Sequence, residues 1–160
     1  RSGAIGGAAA IWGINDQTRV VAGANGWDRS GFAELGTVIA AELVLGIILV
    51  VVLLMSVVDG YGLGGVAVAT GATYAVGHLI LLGLDGGGLN PARSLGSAIF
   101  SDTDPNALGQ VWVFVLVPLV AAFLGVFVWL AVADSTVDDT VFDETIVDDI
   151  QNVLAGDDAD

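Results

Sequence analysis

The chain has 160 residues, 55% of them hydrophobic and 14% charged, with a mean hydropathy of +0.83. Soluble domains run nearer a quarter charged, so this balance points to a membrane protein. Four Lys+Arg against eighteen Asp+Glu give a net charge of −14, which argues against a nucleic-acid grip, and the absence of Cys removes disulfides and thiol chemistry.

The first apolar stretch, Gly3 to Ile14, is 12 residues long, whereas crossing the hydrocarbon core takes roughly 20. It lacks the charged start and cleavage pattern of a signal peptide. It reads as the end of a helix that begins upstream, and the chain as a fragment of a longer protein. Asn15 to Glu34 is polar and glycine-bearing and reads as a surface loop. Arg19 and Arg29 in this loop would send it to the cytoplasm by the positive-inside rule, but Asp16, Asp28 and Glu34 offset them. Leu35 to Val58 is a first span of 24 residues with a single charge, Glu42; at helical rise it reaches roughly 36 Å. "VDGYG" (Val58 to Gly62) is a tight connection. Leu63 to Leu84 is a second span, rich in small residues and carrying the one histidine, His78.

Val111 to Val132 is a third span, with Trp112 and Trp129 near its two ends as interfacial anchors. Pro118 inside it is expected to kink it or open a gap in its hydrogen bonds. The small-residue pairs Ala67/Gly71, Gly71/Ala75 and Ala121/Gly125 are expected to allow close helix contact. Residues 134–160 hold ten of the acids and form a solvated tail; within it Ile146, Ile150 and Leu154 fall on one face of a possible short helix.

Between the second and third spans lies "GGGLNPARSLGSAIF" (Gly86 to Phe100). Asn90 suits an N-cap and Pro91 the first helical position, so Pro91 to Phe100 reads as a short helix. Ten residues are too few to cross a bilayer. Non-helical backbone at membrane depth is tolerated only where protein buries it or where it lines a watery cavity. The stretch therefore reads as a re-entrant loop, Gly86 to Gly88, followed by a half-helix beside something wet. An Arg next to a span otherwise snorkels to the interface, and an isolated His in a bundle otherwise makes a helix–helix hydrogen bond. His78, twelve residues before Asn90, favours the wet reading.

"HLILLGLDGGGLNPARSLGSAIF", followed by "QVWVFVLVPLVAAFLGVFVWL", resembles the second half of an aquaporin, a member of the major intrinsic protein family. "AELVLGIILVVVLL" resembles the helix that opens that half. The resemblance covers roughly Gly3 to Ala133. It implies an all-α membrane protein, an aquaporin-like bundle of two inverted repeats whose Asn-Pro-Ala caps meet mid-membrane. This chain would hold about three full spans, part of a fourth and one re-entrant half-helix, with residues 1–133 as the membrane domain. The long loop would then face outward and the tail the cytoplasm, against the weaker arginine argument.

On this resemblance Asn90, Pro91 and Ala92 are the pore motif, and His78, Gly87 and Arg93 belong to the selectivity constriction. Gly86 and Gly88 offer carbonyls along the path. Asn90 can donate its amide to a passing water while capping the half-helix, whose positive end disfavours cations. Glu42, a lone carboxylate with no second acid read as its partner, supports the re-entrant loop by accepting backbone hydrogen bonds; proton relay is the other reading. Ser94 after Arg93, together with Ala98, matches water channels, whereas glycerol facilitators carry an Asp directly after the Arg. Val115 after Phe114 and the small Gly87 leave room for another small neutral solute.

The expected function is thus passive water transport with no cofactor, no metal and no enzymatic step. The expected partners are the lipid bilayer, a missing first repeat or other half-chain, and sister copies in a homotetramer. A non-conducting remnant or assembly subunit is the reading from another class. Missing Lys and surplus Asp suggest the cell membrane of a salt-adapted prokaryote.

Overall fold

The computed structural model describes residues 3–14 and 23–133; Arg19 and the tail with its possible helix lie outside the described residues. The described elements are five helices: α1 (Gly3–Ile14), α2 (Leu35–Val58), α3 (Gly62–Asp85), α4 (Pro91–Ile99) and α5 (Ala107–Val132). Of these, α2, α3 and α5 are long and apolar enough to cross a membrane.

Local chemistry explains where the helices begin and end. The α2–α3 turn closes with Asp59 N–H donating to the Met55 carbonyl and Tyr61 N–H to that of Ser56, with Gly60 and Gly62 at φ 69° and 67°. Helix α5 starts at Ala107, earlier than the apolar pattern places it. Its first donors are met by side chains: Asn106 Oδ1 takes the Leu108 N–H at 2.8 Å, and Thr103 Oγ1 takes the Ala107 N–H at 2.9 Å. It runs unbroken through Pro118. Because proline has no N–H, the cost there is one missing hydrogen bond to the Phe114 carbonyl rather than an end to the helix.

Each helix packs on its neighbour in the series α3, α2, α5, α4, α1. The α2–α5 crossing is the most extensive. A Cβ at Gly46 would come within 2.7 Å of Ala121 Cβ, and one at Gly125 within 2.8 Å of Val50 Cβ. Small residues here let the two backbones approach. Above this crossing Val38, Val113, Phe114 and Val117 form the buried core, with Trp27, Ile39 and Leu43 against it. On α3 the expectation for small residues is corrected. Ala67, Gly71 and Ala75 are exposed and nothing approaches Gly71, since among the described helices only α2 packs on α3. Large apolar side chains such as Leu63, Leu79 and Phe123 are also exposed, the surface expected of helices bounded by lipid or by further protein.

The segment read as a surface loop is also corrected over part of its length. Ala24, Asn25 and Gly26 are buried. Their burial follows from where the backbone donors go. Gly26 N–H bonds the Asp85 carbonyl at 3.0 Å and Ala33 N–H the Leu84 carbonyl at 2.8 Å. Gln110 of α5 completes the seat, accepting from Trp27 N–H at 3.2 Å and donating to the Trp27 carbonyl at 3.0 Å. The loop thus fills the space between the end of α3 and the start of α5, and satisfies the orphan carbonyls at the α3 C-terminus.

Candidate functional site

The site begins where α3 stops. Gly86 takes a left-handed conformation, φ 89°, and both Gly86 N–H and Gly87 N–H turn back to the Leu81 carbonyl. Gly87 follows at φ 80° and Leu89 at φ 63°. Leu89 carries a Cβ, so its left-handed backbone costs about 1–2 kcal/mol. The surroundings hold it there. Leu89 N–H donates to both Glu42 oxygens, at 2.9 and 3.2 Å. Its side chain is buried against Gly77, where a Cβ would come within 2.8 Å of Leu89 Cδ1. Gly88 lies so close to Glu42 that a Cβ there would overlap the carboxylate. Glu42 is wholly buried. Both of its oxygens are spent on the bend that leads into the half-helix.

Extended backbone at Asn90 then sets up α4. Asn90 Oδ1 caps the Arg93 N–H at 3.1 Å, and Pro91 occupies the first turn. With Oδ1 so engaged, Asn90 Nδ2 donates to no atom among the described residues. The N-terminal end of α4 also carries partial positive charge.

Arg93 projects from the first turn of α4 and is gripped twice. One guanidinium nitrogen donates to Asn25 Oδ1 at 2.5 Å and the other to the Gly86 carbonyl at 3.1 Å. Asn25 is itself fixed: Ser94 Oγ donates to the same Oδ1 at 2.8 Å, and Asn25 Nδ2 donates to the Asp85 carbonyl at 3.3 Å. Arg93 also borders a cavity of about 250 Å³ between α1 and α4, shared with Gly23 and Ser97. On the α3 side the His78 ring stacks on Tyr74, centroids 5.9 Å apart. It closes over Gly87, where a Cβ would come within 2.7 Å of His78 Nδ1. That nitrogen is buried and has no partner among the described residues, so no helix–helix hydrogen bond occupies it.

Of the residues singled out from sequence, the bend brings Gly86 onto Arg93, Gly87 onto His78, and Gly88 onto Glu42. Asn90, Pro91 and the exposed Ala92 open the half-helix beside them. Phe114 belongs to the α2–α5 core. One expectation is corrected: Glu42 does have an acidic neighbour. Asp85, the last residue of α3, is wholly buried beside it. Asp85 ends an apolar run and therefore reads as the start of a loop. Asn25 was also missed as the clamp on Arg93, because an Asn between Ala and Gly carries only a turn signal. Among the described residues no three His, Cys, Asp or Glu side chains gather as a metal ion would need.

Comparison with known proteins gives the family. The family model for the major intrinsic protein matches residues 2–129. The chain is 34% identical over 113 residues to aquaporin Z of Brucella melitensis, covering 66% of this chain and 49% of that protein. It is 35% identical over 102 residues to glycerol uptake facilitator protein-like 6 of Lactiplantibacillus plantarum, covering 62% and 46%. It is 33% identical over 129 residues to aquaporin-6 of Rattus norvegicus, covering 80% and 45%. The chain thus spans just under half the length of these relatives. The bend, the capped half-helix and the match along most of the membrane-spanning sequence lead to one conclusion: the chain belongs to the major intrinsic protein family.

Proposed function

We propose that this chain supplies one side of a passive water channel, with the path running past His78, Gly87, Arg93 and Asn90. The observation that carries the reading is the doubly gripped Arg93 guanidinium beside the Gly87–His78 contact. A fixed cation with hydrogen-bond donors to spare repels other cations and can donate to a neutral permeant. Asn90 Nδ2 adds a donor at the start of the half-helix, and the helix end adds positive potential there. Water oriented by these donors points its own hydrogens outward, which interrupts a proton-conducting chain. Nothing in the process needs a covalent step or a cofactor.

The polar face needs cover, because donors facing lipid cost several kcal/mol. A first repeat, carried by the same protein or by another half-chain, would supply the facing side, and copies would assemble as a homotetramer in a prokaryotic plasma membrane adapted to salt. A glycerol or small-solute path is the second reading. It is favoured by Val115 where water channels carry an aromatic pair, and by the likeness to the facilitator-like protein.

The test is stopped-flow osmotic shrinkage of proteoliposomes at high salt, using this chain alone and joined to a first repeat. Faster shrinkage than empty vesicles once the facing repeat is present supports the channel. No acceleration in either form refutes it and leaves a non-conducting subunit.

A further inference from the structure

Asp85 has no role in the path just described, yet it is wholly buried and so is Glu42. Asp85 Oδ1 accepts the Gly87 N–H at 2.8 Å, while Oδ2 has no donor among the described residues. Glu42 spends both oxygens on the Leu89 N–H, and the two carboxyl groups touch. Two ionised carboxylates in contact present only acceptors to one another and repel. The cation that could offset them, Arg93, acts on both from a distance and gives its hydrogen bonds to Asn25 and Gly86. His78 of α3 faces Gly87, and α5 carries no titratable residue. A single Arg93 charge balances one carboxylate, not two.

We propose that Glu42 and Asp85 share one proton, which bridges α2 to the end of α3 and makes Asp85 a positioning residue for the Gly86–Leu89 bend. The proton supplies the donor that Asp85 Oδ2 lacks, turns a repulsive contact into a hydrogen bond, and leaves one negative charge opposite Arg93. Through this pair α2 holds the bend at two adjacent points, Leu89 N–H directly and Gly87 N–H by way of Asp85. A metal ion fits the place less well. It would need several oxygen ligands converging on one point, whereas a proton needs only the two oxygens already in contact.

The test is infrared difference spectroscopy of the reconstituted protein at neutral pH, comparing wild type with Asp85→Asn and Glu42→Gln. Each amide puts an N–H donor where the proton sat and leaves a single carboxylate. The expected result is a protonated-carboxyl C=O band in wild type that shifts in D2O and is missing from both variants. Asp85→Asn should also keep the folded yield that Asp85→Ala, with no donor and no acceptor, loses. Absence of the band in wild type overturns the proposal. So does carboxylate absorption that follows sodium concentration, which would put a cation in the proton's place. Survival of the band in either variant overturns it too, because the proton would then not be shared. None of these readings depends on whether the protein conducts water.

Discussion

Along the α2–α5 seam, contact is made by what is left out: Gly46 faces Ala121 and Gly125 faces Val50 and the Ile47 carbonyl, so the backbones close with no polar side chain at either glycine. At the Gly86–Arg93 bend a handful of polar atoms hold a backbone that would not otherwise adopt its shape. Glu42 takes the Leu89 N–H, Asp85 the Gly87 N–H, Asn25 both Arg93 and Ser94, and the Gly86 carbonyl Arg93. The difference teaches where this protein tolerates change. The seam answers to volume, and its cost grows with each added methylene. The bend answers to single hydrogen bonds, and losing one partner strands the other in a buried site.

Four substitutions break or sharpen this contrast. The largest effect is expected at Gly88→Ala, which drives a Cβ into the Glu42 carboxylate; a destabilisation of about 3 kcal/mol or more should abolish monodisperse protein in detergent. Gly46→Leu attacks the seam by volume alone. It should lower the melting midpoint in detergent by the equivalent of about 1–3 kcal/mol, while any protein that folds keeps its solute selectivity. Asn25→Ala removes the acceptor shared by Arg93 and Ser94, a local cost of about 1–3 kcal/mol. Its signature should be a raised glycerol-to-water permeability ratio rather than loss of fold, which separates the bend from the seam. Leu79→Ala, on the exposed face of α3, should change the midpoint by less than about 0.5 kcal/mol. A large effect there would mean that this face packs against protein, not lipid.

The same contrast governs what could be read in advance. The apolar runs delimit α2 to the residue, because period and length are properties of the run itself. Asn90 and Pro91 announce the half-helix for a similar reason: cap and first-turn proline act on their own neighbours. Asn25 and Asp85 are different. Their roles arise from contacts 68 residues apart, Asn25 to Arg93, and across helices, Asp85 to Glu42, so nothing beside them in sequence marks them. The buried loop at Ala24–Gly26 was likewise hidden, since its polar composition matches a surface loop and only the open carbonyls of Leu84 and Asp85 draw it inward. Ala67, Gly71 and Ala75 show the converse. A small-residue stripe permits close packing but does not supply the neighbour.

The most direct test of the account is the ratio of glycerol to water permeability in proteoliposomes carrying the protein together with its facing repeat, for wild type, Arg93→Val and His78→Gly. Water flux with glycerol excluded is expected in wild type, and glycerol entry in both variants while water flux persists. Equal glycerol entry in wild type and variants would contradict it, because Arg93 and His78 would then not form the constriction.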